Sequence, residues 1–396
     1  MLNYIYIGAM KKISILLKRG LAALAIVALF SCSESPENAL TMKFYVGSSN
    51  GNISHSIYLC ELDTENENLA VVDSFAGARA GSYLDLGTEG QYLFAINQSA
   101  LNQDNEQASV TSFSVDQASL GLSMINSQSS GGSGICHIHC NKDGDYIFAA
   151  NYGSGHATAL PVNEKGEIAP ASSVVVGDCS GPVESRQQGP HAHQVVLDPG
   201  QNFLLVPDLG CDKVLIYAFD AESGMLTPNP DQASFDLAPG AGPRHLAFHP
   251  DGSSLYIVNE INSSITACTY DGSTGKIAEI NTLSTVEASH EGMKYPAAVR
   301  VHPNGKFVYA STRGENSCIS TFRINDDRSV SRIQVMEQVP NWPRDFNVDP
   351  SGKYMLVAGE RSDYIRLYNI DAATGLLSES SSRLELPAPA SILFIQ

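Results

Sequence analysis

From residue 41 onward, short apolar runs alternate with polar turns, and one phrase keeps returning. It consists of an apolar strand, a turn of the type Asp/His-Pro-x-Gly, a second apolar strand, then Asn or Asp. It occurs at Leu84–Asn97, His139–Asn151, Val195–Asp208, Leu246–Asn259, Val299–Thr312 and Phe346–Gly359. The turn position holds Gly90, Gly144, Gln201, Gly252, Gly305 and Gly352. Glycine there supplies the positive φ of a tight reversal, and Gln201 is the exception. A third strand follows most copies, as at Lys213–Phe219, Ser264–Tyr270, Cys318–Arg323 and Tyr364–Ile370. Within the strands apolar and polar residues alternate with period two.

Six phrases spaced by about fifty residues predict an all-β fold, a radial array of four-stranded antiparallel blades, that is, a β-propeller. A seventh blade is expected from the two ends of the chain. Lys43–Val46 and Ile57–Leu62 supply strands at one end, and Ser391–Ile395 is an orphan strand at the other. Pairing the ends closes the ring and hides the sheet edges. One seven-bladed domain is expected over residues 41–396; six blades with an N-terminal appendage is the alternative.

Ahead of the repeat, Lys11, Lys12, Lys18 and Arg19 precede an unbroken apolar run, Leu21–Phe30. The run is too short to span a bilayer and has the length of a signal-peptide core. It ends in Leu29-Phe30-Ser31-Cys32, which resembles the bacterial lipobox, where the cysteine becomes the lipidated first residue. Residues 1–31 are thus expected to be a lipoprotein signal peptide, with 1–9 upstream of a natural start at Met10, and 32–40 a tether after Cys32. The alternative is an ordinary secretory signal with Cys32 incidental. The expected location is outside the cytoplasm, anchored to a membrane by lipid alone, on the periplasmic side or the cell surface.

Charge narrows the partners. The chain carries a formal net charge of −18, and loss of residues 1–31, with four positive charges and no acids, leaves −22. That balance excludes a general nucleic-acid binder, which needs surface Lys and Arg to neutralise phosphates. After Cys32, seven cysteines remain without CxxC spacing, so neither a disulfide framework nor a zinc site is expected. One pair could bridge in an oxidising compartment; the others read as small buried residues. No metal or cofactor motif occurs, and a monomer is expected.

Equivalent blades allow the repeat to be read in columns. Eight residues before the turn stand Ser82, Cys136, His193, Arg244, Ala297 and Arg344; eight after it stand Gln98, Tyr152, Leu209, Glu260, Arg313 and Glu360. Antiparallel pairing places the start of one strand beside the end of the next, so both columns face one mouth of the ring. That mouth collects His193, Arg244, Arg313, Arg344, Glu260 and Glu360. Inter-blade ion pairing is the bland account of this cluster. His191 shares a strand face with His193 and is a candidate substrate contact, as is Tyr152. His249 and His302 occupy the first position of the Pro turn and read as turn residues. His137 and His139 read as channel-lining polar groups.

With these residues in view, the mature chain resembles the seven-bladed propeller lactonases, which include propeller-type 6-phosphogluconolactonases and carboxymuconate lactonizing enzymes. The resemblance rests on Asn151–Gly155, Gly189–His193, Gly242–Leu246, Asn259-Glu260, His302–Ala310 with Arg313, and Pro343-Arg344. It implies an active-site set of one His, two Arg and one Glu, which fall on His193, Arg244, Arg313 and Glu260. The first blade departs from the pattern at Gly81–Leu84 and in a polar insert, Leu101–Ser109. The lipobox is the larger departure, because a cytoplasmic phosphosugar lactone would not meet an exported enzyme.

The resemblance implies hydrolysis of a sugar-type lactone. His193 would be the general base, oriented or kept basic by Glu260, while Arg244 and Arg313 hold the acyl oxygen and a substrate anion, with His191, Arg344, Glu360 and Tyr152 contacting substrate. The expected partner is a small lactone or sugar acid. Closing a lactone on the same site, as a cycloisomerase, and non-catalytic surface binding are the competing readings.

Overall fold

A computed structural model describes residues 41–50, 55–78, 81–98 and 108–395. The segments expected to be a signal peptide and a tether, with Cys32, and most of the polar insert lie outside the described residues. Seven antiparallel sheets follow one another along the chain. Blade 1 contains Leu84–Leu86, Tyr92–Asn97, Ser109–Val115 and Leu122–Ser129; blade 2 contains Ile135–Cys140, Tyr146–Asn151, His156–Pro161 and Ser173–Val176. Blade 3 contains Val196–Leu197, Phe203–Asp208 and Lys213–Asp220, with its outer position divided between Met225–Pro228 and Ser234–Asp236. Blade 4 begins at Pro243–Phe248, blade 5 at Tyr295–Val301 and blade 6 at Pro343–Val348, each followed by three further strands.

Blade 7 is assembled from both ends. Pro389–Phe394 is its inner strand and pairs with Thr41–Ser48, followed by Ile57–Asp63 and Asn68–Phe75. The register sets Phe44 opposite Phe394 and Gly47 opposite Ser391. Seven blades are present, and the N-terminal strands are part of the ring.

The hydrophobic core is divided among the gaps between blades. Phe148 and Ala150 of blade 2 meet Leu204 and Val206 of blade 3, and Tyr256 and Val258 of blade 4 meet Val308 and Ala310 of blade 5. The seven clusters each join two adjacent blades, the last bringing Leu356 of blade 6 against Phe44 of blade 7. A blade therefore packs on both faces. That is why the second strands are buried without interruption, as in Leu255–Val258, rather than alternating as the period-two reading expects.

All six turn positions have positive φ, and Gln201, at 59°, adopts the same left-handed conformation as the glycines. His249 and His302 are turn residues that also latch neighbouring blades. Their Nε2 atoms reach the carbonyls of Gly305 (2.9 Å) and Gly352 (2.8 Å). Cys179 and Cys211 form a disulfide, while Cys60, Cys136, Cys140, Cys268 and Cys318 are free and buried. No helix among the described residues is long and apolar enough to cross a membrane.

Candidate functional site

The inner strands carry the site because they are irregular where it forms. In blades 2, 4, 5 and 6 the pairing of the first two strands slips at one place, between Ile135 and His137, Pro243 and His245, Pro296 and Val299, and Pro343 and Asp345. The residues skipped include Cys136, Arg244, Ala297 and Arg344, the column read from the repeat. A bulge leaves its extra residue unpaired and re-aims the side chain. Proline is tolerated just ahead, at Pro243, Pro296 and Pro343, because this strand borders the channel with no partner on that side. In blade 3, Pro190 and the backbone around His193 reduce the inner strand to Val196–Leu197, and the His193 N–H donates to the Pro207 carbonyl at 2.9 Å.

Glu260, at the end of a blade 4 strand, is the hub. Its Oε2 lies 2.5 Å from Arg313 Nη2 and 3.1 Å from Arg244 Nε, and its Oε1 lies 2.5 Å from Arg186 Nη2. The Arg244 approach is an ion pair without hydrogen-bond alignment. Arg244 is fixed otherwise by its Nη1 donation to the Ala297 carbonyl at 2.5 Å, which crosses to blade 5. Arg313 Nε donates to the Tyr295 carbonyl at 3.2 Å, and its guanidinium lies 5.3 Å from the Trp342 ring centre. Burial opposes ionisation of Glu260, but Arg313, Arg244 and Arg186 outweigh it and bring its pKa down to about 2. Burial, with Arg313 and Arg344 nearby, lowers Arg244 to about 9, which leaves it charged at neutral pH.

His193 stands beside this cluster and is not bonded to it. The expected orientation by Glu260 is absent: that carboxylate pairs with arginines, and no hydrogen bond joins it to His193 among the described residues. Cys136 Sγ lies 3.8 Å from His193 Nδ1, and the imidazole packs edge-on to Tyr152 (5.4 Å) and His245 (5.5 Å). Nor is His193 kept basic. Burial, reinforced by Arg244, Arg344 and Arg313, pushes its pKa well below the usual histidine value.

The remaining candidates divide. Tyr152 stacks on His191 at 4.5 Å, and its carbonyl accepts the His191 Nδ1 proton at 2.8 Å; the His191 backbone N–H donates to buried Asp208 at 2.7 Å. Tyr152 thus borders His193 and carries His191 stacked on its own ring. Arg344 forms no hydrogen bond or ion pair among the described residues, yet acts electrostatically on His193, Arg244 and Arg313. Glu360 accepts from Ser49 Oγ at 2.7 Å, a link between blades 6 and 7, and reaches the Glu260 hub only electrostatically, through Arg313. Among the described residues no group of three His, Cys, Asp or Glu side chains is placed to hold a metal ion.

Arg186 escaped the column reading. It lies on the connection between blades 2 and 3, which has no copy in the other blades; its sequence signal is an arginine five residues ahead of His191, in a polar segment beginning at a cysteine. Away from the hub, a cavity of about 230 Å³ is lined by inner-strand and neighbouring residues that include Tyr83, His137, Gln194, Arg300 and Asp345. His245 links the site to it, 5.5 Å from His193 and 5.3 Å from His137.

Known proteins resemble the chain over most of its length. The chain is 30% identical over 352 residues to the 6-phosphogluconolactonase of Bacillus subtilis, covering 89% of this chain and 97% of that protein. It is 30% identical over 335 residues to the 6-phosphogluconolactonase of Formosa agariphila, covering 83% and 91%. The solved structure of a periplasmic gluconolactonase from Pseudomonas aeruginosa superposes with a TM-score of 0.84 at 26% identity, over 90% of this chain and 99% of that one. The sequence profile of the family described as lactonase, 7-bladed beta-propeller, matches residues 43–394, and the chain belongs to that family.

Proposed function

We propose that this protein is a lactone hydrolase that opens the ring of a small sugar-type lactone at the His193–Glu260 mouth of the propeller. The observation that carries this reading is the convergence of Arg186, Arg244 and Arg313 on the one buried carboxylate of Glu260, beside a buried histidine. Separate inter-blade ion pairs would fit a passive surface. A single hub fits a preorganised site, because its charges are fixed before substrate arrives.

Neutral His193 takes a proton from water as the water oxygen adds to the lactone carbonyl. The tetrahedral oxyanion then meets a guanidinium. Arg244 and Arg313 are committed to Glu260, so the uncommitted Arg344 fits this role better, with the Glu260 hub keeping the surrounding charge in place. The ring C–O bond breaks, the leaving alkoxide takes the proton from imidazolium His193, and a hydroxy acid is released. The same depressed basicity that keeps His193 neutral makes its protonated form a strong acid toward that alkoxide. His191 and Tyr152 form one wall of the site, and no step requires a cofactor.

Purified protein, offered glucono-δ-lactone and its 6-phosphate, is expected to release acid faster than spontaneous hydrolysis, and His193→Ala is expected to remove that excess. Undiminished turnover in His193→Ala sinks the assignment.

Export belongs to the same reading. Lys11–Arg19, the apolar run and Ser31-Cys32 support a lipidated, membrane-anchored mature protein beginning at Cys32, and the Pseudomonas aeruginosa relative is described as periplasmic. The substrate would then be a lactone met outside the cytoplasm. Labelling cells with a radioactive fatty acid is expected to mark the wild type and not Cys32→Ser.

A further inference from the structure

The connection between blades 2 and 3 is long, from 177 to 195, and is tied down at several points without forming a strand. Its start is bonded to blade 3 through Cys179–Cys211. Gln187 is fully buried. Its amide donates to the Leu209 carbonyl (2.8 Å) and to Asp212 Oδ1 (2.6 Å), and its carbonyl accepts the Val183 N–H (3.1 Å). Asp212 also accepts the N–H groups of Gly240 and Gly242 at 2.7 Å each, directly ahead of Arg244. Gly210 leaves room for the strap, since a Cβ there would collide with the Gly189 carbonyl. Strap and Arg244 strand thus share one anchor.

Between these ties stands Arg186. It is the most exposed arginine of the hub, with a side chain 31% exposed against 2% for Arg244 and 7% for Arg313. One nitrogen holds Glu260 Oε1, the side chain also bonds Tyr152, and the guanidinium lies 5.8 Å from the Tyr295 ring centre. A guanidinium has five N–H donors, so others are left for a second anion beside the contacts to Glu260 and Tyr152.

We propose that Arg186 is a specificity-determining residue that favours ligands with an anionic group distal to the lactone ring, and that the Cys179–Cys211 bond holds it in place, so the preference depends on an oxidised strap. This deepens the lactonase reading and rests on it for the identity of the ring. The anion contact itself is tested without turnover.

The test uses the full mature chain and two product acids, 6-phosphogluconate and gluconate, titrated by calorimetry. Wild type is expected to bind the phosphorylated acid at least about tenfold more tightly, as a charge-assisted hydrogen bond would give. Arg186→Ala is expected to bring that ratio to within about twofold of unity, and Arg186→Lys to restore part of it. Cys179→Ser/Cys211→Ser, and wild type reduced with dithiothreitol, are expected to lower the ratio while the melting transition stays cooperative. If turnover is present, the loss in Arg186→Ala falls on KM for the phosphorylated lactone more than on kcat. The proposal is overturned by a wild type without preference, by an unchanged ratio in Arg186→Ala, or by equal weakening toward both acids. An unchanged ratio after breaking the disulfide overturns the role of the strap. Absence of lactone turnover in wild type counts against the lactonase reading and leaves the binding comparison intact.

Discussion

Arg313 Nη2 and Glu260 Oε2 meet at 2.5 Å on the inner ends of two adjacent blades, both side chains 7% exposed. Breaking a buried pair from one side costs about 3–5 kcal/mol, because a charge is left without its partner. Glu260→Gln is therefore expected to lower the unfolding midpoint clearly. The acid response carries the sign of a depressed carboxylate. Its contribution is fully present above the ordinary value of 4.5 and is lost as pH falls toward about 2. A shift of that size corresponds to about 3 kcal/mol. Denaturant unfolding between pH 5 and 3 is expected to show a shallower loss in Glu260→Gln than in wild type; parallel curves would refute this.

The neutrality of His193 predicts an unusual rate profile. A general base fails as it protonates, so the acid limb of kcat/KM is expected well below pH 6.5 rather than near it. Burial and three arginines hold the value down, and Arg344 is the one of them without a partner among the described residues. Arg344→Ala is expected to move the acid limb upward, toward 6.5, and to reduce kcat by about a hundredfold through loss of the oxyanion contact. A limb that stays in place in Arg344→Ala would separate Arg344 from His193.

Much of this site was legible in the sequence because propeller blades are equivalent. A residue's distance from its turn position gives its height in the ring, and that placed His193, Arg244, Glu260, Arg313 and Arg344 at one mouth. Shared height is not contact, however. The columns put Glu260 near His193 but could not show that three arginines occupy its oxygens. Arg186 and the Cys179–Cys211 pairing lie on or beside a connection with no repeat, where no column exists to read. The bulges that aim Arg244 and Arg344 were hidden for another reason, since a slip of one residue between paired strands leaves the spacing from each to its turn unchanged.

His137, His193 and His245 give the channel a pH dependence of its own. Their rings are buried, and burial is the first cause that lowers each pKa, with neighbouring charges adding to it. Below about 6.5 the unfolded chain binds protons that the folded chain refuses, so stability falls as pH falls through that value. Each such group contributes roughly 1.4 kcal/mol per pH unit below its unfolded pKa. The free energy of unfolding is expected to drop between pH 6.5 and 5.5. His137→Gln, which removes a ring whose two nitrogens have no partner among the described residues, is expected to make that drop smaller by one proton's share. An identical slope in wild type and His137→Gln would show that His137 protonates freely in the fold.

Closure of the ring rests on packing and strand pairing. Phe394 packs on Phe44 with ring centres 5.7 Å apart, and the pairing of Pro389–Phe394 with Thr41–Ser48 joins the two ends of the chain without a covalent link. Removing residues 389–396 would expose the backbone of Thr41–Ser48 as an open edge and leave the cluster between blades 6 and 7 without Ile392 and Phe394. The truncated chain is expected to lose its cooperative melting transition and to elute as aggregate in gel filtration. Phe44→Ala keeps the edge covered and removes only packing, so it is expected to cost about 3–5 kcal/mol while the protein stays folded. A truncated chain that runs at its folded size with the wild-type midpoint would mean that the other six blades hold the ring without its closing strand.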